Sequence, residues 1–564
     1  MGNYLLPLLT AVARRAKANF VQKTRQTEAV QEQFLLTLLR AYQDTELGRH
    51  YGLREIKTIE QFRDRVPVLP YSSYESYTER IFQGESNILV PDPVVYINLT
   101  SGSTGAKKLI PVTKRFQNSL KRANLTSIGF LSDALKVRNL KFGKLLLTNS
   151  VQLIGRTPGG TEYGPASVGV LRMGKFLYEQ IFGHPFETLL PGDSLTRHYV
   201  CLLFALRDRN LRGIIANFPM LLLRTCDYLE RYAEDLIRDL EKGTIASWLD
   251  LPPTVLSKLE RQWSADPVRA RELQEILNAE GHLTPTLAWP GLSFVATARG
   301  GTSDFYFQRF GTYFGNTPIF GAVYSSAEAT FSIYPDVDTN GSILAIESGF
   351  FEFVPEDQWT AAHPKTLLAT EVKVGERYRL LTTNYSGFYR YDIGDVVEVV
   401  GFYGSAPLIV FRYRRGGILS ATTEKTTEYH VTQVMQALQQ EFSLSLEDFC
   451  ITLSESIVSP HYLVNIELRP GQTLPNPQAF LASFERKLKQ ANTSYAVKRP
   501  NNYIPAPRLR ILSSGSFAIL RQRQLERGIP DSQLKFPHTS EDRQFLTGLK
   551  VEQEVRLPED MDEG

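Results

Sequence analysis

Hydrophobic positions in the first part of the chain recur at intervals of three and four residues. This spacing runs through residues 4–50 with few helix-breaking residues, and it predicts amphipathic helices. From about residue 112 to 240, helical patterns alternate with short apolar runs at 144–148 and 213–216. Such alternation is typical of a mixed or mostly parallel sheet that is covered by helices.

The same alternation continues toward residue 400. The longest helical patterns here lie at 222–240 and 260–280. Further strands are predicted at 87–98, 293–296, 318–323, 349–354, 378–382 and 396–401. The pattern therefore predicts a large α/β domain with mixed sheets.

A basic, glycine-containing break at Arg414, Arg415, Gly416 and Gly417 interrupts this pattern. After it, helices are predicted at 428–441 and 476–492, and strands at 450–454, 462–467 and 508–512. We therefore predict two domains, a large one over 1–415 and a smaller α+β one over 416–564. Two adjacent glycines can absorb large backbone rotations, so we expect a hinge and a mobile small domain.

Composition removes several classes of function. The 564 residues are 42% hydrophobic and 22% charged, which is typical of a globular protein. The net charge of +3 without a basic patch argues against nucleic-acid binding, and no apolar run is long enough to predict a membrane span. The three cysteines are widely spaced, which argues against a zinc or disulfide framework and fits reduced thiols in a cytoplasmic protein.

Small polar residues follow the predicted strand 87–98. Hydroxyl groups, glycine N–H groups and two lysines lie together at 100–108, a combination that suits a triphosphate. The spacing of a Walker A loop is absent, and the alternative is an ordinary polar surface turn. The candidate phosphate-binding residues are Ser101, Gly102, Ser103, Thr104, Gly105 and Lys108.

A second polar motif follows the predicted strand 318–323. Tyr324 offers a ring that can stack, Ser325 and Ser326 offer hydroxyls, and Glu328 offers a carboxylate. Ligand crevices of α/β sheets lie at such strand ends, and a carboxylate beside a triphosphate is a natural Mg²⁺ ligand. The alternative is a strand-to-helix cap.

A third motif spans 384–395 and ends in Gly394 and Asp395, just before the predicted strand 396–401. An aspartate held by a glycine turn at a strand can accept hydrogen bonds from the two hydroxyls of a ribose. The alternative is an aspartate in a tight hairpin turn.

The order of the three motifs resembles that of adenylate-forming enzymes, and more closely that of the GH3 family of acyl acid amido synthetases. The closer likeness is carried by 384–397, by Arg414 and the run 424–426, and by 515–517 and 533–537. It extends over about residues 30 to 540. The phosphate loop is one residue shorter than in plant members, and we expect a bacterial-type member.

Membership of this family implies ATP and Mg²⁺ as cofactors, and a carboxylic acid and an amino acid as substrates. The resemblance gives roles to the candidate residues. Ser101, Ser103, Thr104 and Gly105 cradle phosphate. Tyr324 and Ser325 border the adenine, Asp395 binds the ribose with the help of Arg414, and Glu328 holds Mg²⁺.

The resemblance also implies two catalytic lysines, Lys425 just after the hinge and Lys535 on the small domain. Lys535 would reach the α-phosphate and the carboxylate when the small domain docks. The acyl pocket is expected to draw on 218–224 and 296–303.

The resulting hypothesis is an enzyme that activates a carboxylic acid as acyl-AMP and transfers the acyl group to an amino acid. An acyl-CoA ligase would use the same first step, and the sequence leaves that alternative open. A non-catalytic nucleotide-binding scaffold is a further alternative. It would predict the loss of Glu328, Asp395 or Lys535, and all three are present.

Overall fold

The computed structural model describes residues 5–101, 107–166, 168, 175–415, 418–421, 424–455, 460–499, 504–527 and 534–557. The chain forms two compact units. The larger unit comprises Met1–Gly300 and Tyr306–Phe411, and the smaller comprises Gly301–Phe305 and Arg412–Gly564. The division of the chain into two independent domains after residue 415 stays a prediction.

The predicted helical segment at 4–50 is confirmed as three helices, Leu5–Lys23, Thr27–Tyr42 and Glu46–His50. A short 3-10 turn, Thr24–Gln26, separates the first two. Thr45 caps the third helix with its side-chain oxygen, which satisfies a backbone N–H that the helix itself leaves without a partner.

Four short parallel strands form one sheet of the larger unit, as the alternation predicted. Their order across the sheet is Leu145–Leu147, Gly213–Ile215, Phe294–Ala296 and Ile319–Phe320. Parallel neighbours need crossover connections, and the helices Ser194–Leu206 and Pro219–Arg231 lie in two of these. The carboxyl ends of the four strands therefore share one edge of the sheet.

A seven-stranded sheet carries the second and third motifs. Its strand order is Phe350–Pro355, Arg377–Thr383, Tyr391–Tyr403, Ala406–Arg414, Ser342–Leu344, Thr330–Ile333 and Val323–Ser325. The strand pairs with a described register are antiparallel. Both Val323–Ser325, from the second motif, and Tyr391–Tyr403, from the third, therefore belong to one sheet.

The first motif belongs to a separate four-stranded sheet. The strand order is Lys107–Thr113, Val94–Ser101, Glu162–Gly164 and Gly155–Arg156. Apolar side chains on its long hairpin, Ile97 and Ile110, are buried in the same core as the seven-stranded sheet. This shared core holds the two sheets together.

Two predicted elements prove to be broken. The predicted helix at 222–240 is two helices, Pro219–Arg231 and Ala233–Lys242, because Tyr232 leaves the helical conformation and its ring packs against Trp248 at 5.4 Å. The predicted strand at 318–323 ends early, since Ala322 has a φ of +53° and turns the chain from one sheet to another.

The predicted helix at 260–280 is confirmed only from residue 267, because the helix Pro253–Glu260 ends where it was expected to begin and a new helix, Pro267–Glu280, follows. A proline begins each of them. Proline suits the first turn of a helix because a backbone N–H at that position would have no hydrogen-bond partner within the helix. Asp266 caps the second helix by accepting a hydrogen bond from the backbone N–H of Arg269.

The smaller unit is an α+β unit, and its elements match the predicted ones closely. Its five-stranded sheet has the order Thr539–Ser540, Leu446–Leu453, Tyr462–Leu468, Arg508–Leu512 and Val551–Val555. Its helices are Glu428–Glu441, Pro477–Ala491, Thr493–Lys498 and Ser516–Glu526. A two-stranded ribbon, Ile418–Leu419 with Thr426–Thr427, precedes them.

The other described helices are Ile59–Arg65, Glu75–Phe82, Lys114–Val137, Lys175–Ile181, Pro285–Ala288, Ser303–Phe307 and Phe310–Phe314. Short 3-10 turns lie at Leu53–Glu55, Tyr71–Ser73, Phe186–Leu189 and Glu356–Gln358. Within the described ranges, no helix has the length and apolar content that crossing a membrane requires.

Candidate functional site

The first motif lies on a β-hairpin. The strands Val94–Ser101 and Lys107–Thr113 pair with Thr100 opposite Lys108. The expectation that the polar loop begins at Thr100 is wrong, because strand pairing continues through Ser101. The side chain of Ser101 lies outside the described part of the chain, as do the other predicted phosphate ligands Gly102, Ser103, Thr104 and Gly105.

The second motif joins two antiparallel strands, Val323–Ser325 and Thr330–Ile333, so the alternative of a strand-to-helix cap is wrong. The side-chain oxygen of Ser326 accepts a hydrogen bond from the backbone N–H of Glu328 at 3.1 Å. Asn98, near the end of the first motif's strand, donates to the carbonyl of Ala327 at 2.9 Å. The loop that carries Glu328 is thereby tied to the strand that leads into the first motif.

The third motif contains a β-bulge. Asp395 was expected in a turn before a strand at 396–401, but the strand already begins at Tyr391. Its register against Arg377–Thr383 shifts around Gly394, which has a φ of +82°. A bulge inserts extra residues and changes the direction of their side chains. The bulge, and not a terminal turn, therefore sets the place of Asp395.

Four of the candidate residues and one further tyrosine converge in the larger unit. The Tyr324 hydroxyl donates to Oδ2 of Asp395 at 2.5 Å. The Tyr391 hydroxyl donates to Oε1 of Glu328 at 3.1 Å. Lys108 Nζ donates to the Tyr391 oxygen at 3.1 Å and lies 3.9 Å from Oε1 of Glu328. The three motifs thus meet in one polar cluster.

Both carboxylates of this cluster are almost fully buried, with 1% of Asp395 and 4% of Glu328 exposed. Buried carboxylates are tolerated only when they are hydrogen-bonded or paired with a cation. Tyr324 donates such a hydrogen bond to Asp395. Tyr391 donates one to Glu328, and Lys108 places a cation beside it. Tyr391 was not among the candidate residues predicted from the sequence, although it lies within the third motif.

Aromatic rings surround the polar cluster. Lys108 Nζ lies 5.3 Å from the ring centroid of Tyr71 and 5.8 Å from that of Tyr391. Burial, and to a lesser degree the nearby Glu328, raises the pKa of the Tyr71 hydroxyl, which therefore stays protonated. The ring of Tyr324 lies between Phe331 and Phe411, with centroid distances of 4.9 and 5.5 Å. These two tilted ring contacts hold the ring that was predicted to border the adenine, whereas the neighbouring Ser325 is exposed.

Other residues of the third motif are structural. Arg390 is buried and pairs with Glu352 through two contacts of 3.0 Å, and it also donates to the carbonyls of Arg63 and Val66. Gly387 has a φ of +80°, and a Cβ there would lie 2.2 Å from a backbone oxygen. The sequence between 384 and 390 therefore serves mainly to anchor the strand that carries Tyr391 and Asp395.

The candidate lysine Lys535 is exposed on an extended segment of the smaller unit, between the buried side chains of Leu534 and Phe536. Phe536 packs edge-on against Phe517 with a centroid distance of 5.8 Å. His538, fully buried, stacks on a neighbouring ring at 4.0 Å. Burial of alternate side chains on this segment directs Lys535 to the surface of its unit.

The helix that carries Phe517 is capped by a carboxylate. Glu467 accepts hydrogen bonds from the backbone N–H groups of Gly515 at 2.6 Å and Phe517 at 2.8 Å. Burial raises the pKa of Glu467, and these two bonds oppose that effect. The segment 515–517, which carries part of the family resemblance, therefore has a structural role, because it provides the N–H groups that bond to Glu467.

Lys425 is exposed beside the buried Glu424. The Glu424 carboxylate accepts hydrogen bonds from the Tyr462 hydroxyl at 2.7 Å and from the backbone N–H of Ala421 at 2.6 Å. Arg414 is the last residue of its strand and is half-buried. The predicted hinge glycines, Gly416 and Gly417, lie outside the described residues.

The two segments expected to form the acyl pocket follow parallel strands. The first begins just after the strand Gly213–Ile215, and the second begins at the last residue of Phe294–Ala296. At this edge of the sheet, Asn149 donates a hydrogen bond to Asn217 at 2.9 Å. Ligand crevices of parallel sheets lie at this edge.

The cysteines offer no nucleophile. All three are buried and free, and burial raises the pKa of Cys201 to about 12. A thiol with so high a pKa is not a thiolate at neutral pH. Among the described residues, no group of three or more His, Cys, Asp or Glu side chains could hold a metal ion by itself.

Domains of the GH3 family match most of the chain. The GH3 family N-terminal domain matches residues 16–319, the central domain 342–414 and the C-terminal domain 429–544. The chain is 26% identical over 549 residues to the probable indole-3-acetic acid-amido synthetase GH3.1 of Arabidopsis thaliana, covering 93% of this chain and 92% of that protein. It is 28% identical over 554 residues to the jasmonoyl-L-amino acid synthetase JAR6 of Nicotiana attenuata, covering 92% of each.

Solved structures share the fold. The GH3.15 acyl acid amido synthetase is similar with a TM-score of 0.83 at 23% identity, covering 95% of this chain and 96% of that one. A 2-hydroxyisobutyryl-CoA ligase is similar with a TM-score of 0.51 at 12% identity, covering 94% and 89%. The predicted adenylate-forming architecture, with a large N-terminal and a smaller C-terminal domain, is thereby confirmed. A bacterial-type member stays a prediction, but the family that the three motifs indicated is shown, and the chain belongs to the GH3 family.

Proposed function

We propose that this protein is an ATP-dependent acid–amino acid ligase. It activates a carboxylic acid as acyl-AMP with release of pyrophosphate, and it then transfers the acyl group to the amine of an amino acid. The observation that carries this proposal is the convergence of Lys108, Tyr324, Glu328 and Asp395 in a chain whose family contains proteins named as amido synthetases.

The chemistry requires positioning and charge neutralisation. A carboxylate oxygen attacks the α-phosphorus of ATP, and the bond to pyrophosphate breaks. The amine then attacks the acyl carbonyl and AMP leaves with the electron pair. No covalent enzyme intermediate is required, which agrees with the buried, protonated cysteines. Fixed cations and hydrogen-bond donors that face the developing phosphate charge supply most of the catalysis.

The nucleotide is assigned to the polar cluster. Asp395 accepts hydrogen bonds from the ribose, and Tyr324 with Ser325 and Ser326 borders the adenine. The residues Ser101, Gly102, Ser103, Thr104 and Gly105 cradle phosphate, with Lys108 beside them. The fixed ring of Tyr324 and the buried carboxylate of Asp395 support this assignment.

Glu328 fits a Mg²⁺ ion that arrives with the nucleotide. Mg²⁺ prefers oxygen ligands and is commonly held by one or two carboxylates together with substrate phosphates and water. A single buried carboxylate next to the phosphate hairpin matches that requirement, and no larger ligand set is needed. When bound, the ion neutralises phosphate charge.

The smaller unit contributes the catalytic lysines in this proposal. Lys535 meets the α-phosphate and the carboxylate during adenylation, and Arg414 assists at the ribose. Lys425, which follows the hinge in the sequence, is the second catalytic lysine. The exposure of Lys425 and Lys535 at fixed points of the smaller unit supports these roles.

An amine acceptor is favoured over coenzyme A. The relatives that align with more than nine-tenths of the chain are named as amido synthetases, for indole-3-acetic acid and for jasmonic acid conjugates. We infer that the acid is a small organic carboxylic acid, and a cytoplasmic location stays a prediction. The scaffold alternative loses support because Lys108 lies beside Glu328, and because Glu328 and Asp395 are both buried with hydrogen-bond donors.

Acid-dependent ATP–pyrophosphate exchange tests this function. The purified chain is assayed with a panel of carboxylic acids, and the best acid is then incubated with mixed amino acids and with coenzyme A. We expect exchange that requires both the acid and Mg²⁺, followed by an amide detected by mass spectrometry. Formation of a thioester without an amide would establish the ligase alternative, and exchange with none of the acids would contradict the proposal.

A further inference from the structure

The hydroxyl of Tyr391 lies between the two opposite charges of the candidate nucleotide site. It donates to Glu328 at 3.1 Å and accepts from Lys108 at 3.1 Å, while the charged groups themselves are 3.9 Å apart. Tyr391 has no exposed surface. Its ring is fixed by Phe388, with a centroid distance of 5.1 Å, and by Tyr74 at 6.1 Å. The hydroxyl is therefore held in place by packing and does not depend on a ligand.

The position of Lys108 has a consequence for Glu328. A buried carboxylate needs a compensating charge or hydrogen bonds, and Lys108 is a cation within 4 Å of it. A divalent ion on Glu328 would compete with the lysine ammonium for the same carboxylate. Lys108 lies on the second strand of the hairpin that carries the first motif, so in the proposed site a lysine released from Glu328 stays beside the phosphates.

We propose that Lys108 occupies Glu328 until a nucleotide-borne divalent cation takes the lysine's place, and that Tyr391 is a positioning residue that keeps the Glu328 carboxylate oriented for that exchange. The inference rests on the proposed function, in which Glu328 is the cation ligand. The exchange moves one positive charge from the carboxylate to the phosphates as the metal arrives. It forms and breaks no covalent bond. The Tyr391 hydroxyl keeps its bond to Glu328 and so keeps the carboxylate oriented toward the ion.

A purely structural role for Tyr391 is the competing explanation, since the ring also packs in the core. Tyr391→Phe removes the hydroxyl and keeps the ring, which separates the two roles. Tyr389→Phe is the matched control, because this equally buried tyrosine two residues earlier packs its ring against Tyr51. If the role of Tyr391 is only structural, Tyr391→Phe lowers the thermal stability of the protein and leaves the kinetic constants unchanged.

The first measurement is a Mg²⁺ titration of acid-dependent pyrophosphate exchange at saturating ATP and acid. Loss of a hydrogen bond to a charged group should raise the Mg²⁺ concentration for half-maximal rate in Tyr391→Phe by roughly tenfold, with the KM for the acid unchanged. Tyr389→Phe should behave as the unsubstituted protein does. An unchanged Mg²⁺ dependence in Tyr391→Phe would overturn the proposal.

The second measurement uses binding and not turnover. Mn²⁺ is titrated into the nucleotide-free protein and followed by electron paramagnetic resonance. Lys108→Met should bind Mn²⁺ roughly tenfold more tightly than the unsubstituted protein, because the competing ammonium is gone, and Lys108→Met with Glu328→Gln should lose that gain. Equal Mn²⁺ affinity in Lys108→Met and the unsubstituted protein would overturn the exchange.

The two proposals fail in different ways. If Glu328→Gln leaves pyrophosphate exchange and its Mg²⁺ dependence unchanged, the proposed nucleotide site is wrong. If Glu328→Gln is impaired but Tyr391→Phe keeps the Mg²⁺ dependence and Lys108→Met keeps the Mn²⁺ affinity of the unsubstituted protein, the site stands and the exchange with its positioning by Tyr391 is overturned.

Discussion

A buried carboxylate needs hydrogen bonds, and Asp395 receives one from the Tyr324 hydroxyl at 2.5 Å. In the proposed site the same carboxylate accepts from the ribose. One oxygen can serve the tyrosine while the other serves the nucleotide. In the proposed site the two residues couple adenine placement to ribose placement, although they lie 71 positions apart in the sequence.

Asp395→Asn should impair the enzyme far more than Asp392→Asn, which lies three residues earlier on the same strand. Hydrogen bonds to a charged group contribute about 1.5–3 kcal/mol each, so the loss should weaken nucleotide use by at least about tenfold. Acid-dependent pyrophosphate exchange measures the effect, and circular dichroism checks that both variants fold. Equal activity of the two variants would remove Asp395 from the site.

His184 gives a residue-scale prediction about pH. The side chain is buried, and burial lowers its pKa from 6.5 to about 3. The unfolded chain therefore binds a proton between these values while the folded chain does not, so stability is full above pH 6.5 and falls as the pH drops. Between pH 7 and pH 5 this single group should lower the free energy of unfolding by about 2 kcal/mol.

Urea unfolding at pH 7 and pH 5 checks this. His184→Gln should show a smaller difference between the two pH values than the unsubstituted protein, even if it is less stable at both. His363→Gln, which replaces an exposed histidine, is the matched control, and its loss of stability between pH 7 and pH 5 should exceed that of His184→Gln. An equal loss of unfolding free energy between pH 7 and pH 5 in His184→Gln and in the unsubstituted protein would mean that folding does not lower the pKa of His184.

At the scale of elements, the turn at Gly387 secures the strand that carries the site. Gly387→Ala places a Cβ at 2.2 Å from the Leu89 carbonyl oxygen, in addition to the strain of a φ of +80°. Gly375→Ala has a similar φ of +85° and nothing within 4 Å. We expect Gly375→Ala to cost about 1–2 kcal/mol and Gly387→Ala several kcal/mol more, because only the latter clashes with backbone.

Thermal unfolding of the two glycine variants measures this difference. Gly387→Ala should melt at a clearly lower temperature than Gly375→Ala and should lose exchange activity, while Gly375→Ala stays active. Indistinguishable melting of the two variants would show that the chain relaxes around residue 387.

The sequence predicted elements well where hydrophobic periodicity is regular and bounded by turn residues. The helix Glu428–Glu441 and the strand Arg508–Leu512 have the predicted bounds. The break at Tyr232 was missed because no glycine or proline marks it, and the ring of Tyr232 packs against Trp248, which lies beyond the next helix. Long-range packing of this kind leaves no local signal.

The site was predictable in its parts and not in its geometry. Lys108, Glu328 and Asp395 were selected from motifs, and they lie in one cluster with Tyr324. The bulge at Gly394 depends on the register of a partner strand, which the local pattern does not specify. Tyr391 was passed over for a similar reason. Its position four residues before Asp395 in the third motif was the available signal.

At the scale of the whole molecule, the proposed function places groups on both units. Lys535 belongs to the smaller unit, and the nucleotide cluster belongs to the larger. We infer that the smaller domain changes orientation between adenylation and transfer, since the amine needs access to the carbonyl after Lys535 has acted. Lys535 is therefore expected to act in adenylation and not in acyl transfer, and the rates of these two half-reactions can be measured separately.

Lys535→Ala should reduce acyl-adenylate formation by at least about a hundredfold, because a cation that faces developing charge is lost. Transfer from chemically supplied acyl-AMP to an amino acid should be largely retained. Lys550→Ala, another exposed lysine of the smaller unit, is the control and should affect neither step. Rapid-quench measurement of each half-reaction gives the answer. Equal loss of both half-reactions in Lys535→Ala would contradict the division of roles.

The central claim is that the carboxylate of the acid attacks the α-phosphorus of ATP. The most direct test uses the best acid of the panel with both carboxylate oxygens replaced by ¹⁸O, together with ATP and the amino acid, and determines the product nucleotide by mass spectrometry. An acyl-adenylate mechanism transfers one heavy oxygen to AMP and leaves the other in the amide. Asp395→Asn should form far less of the labelled AMP. Unlabelled AMP, or ADP with the heavy oxygen in inorganic phosphate, would contradict the claim.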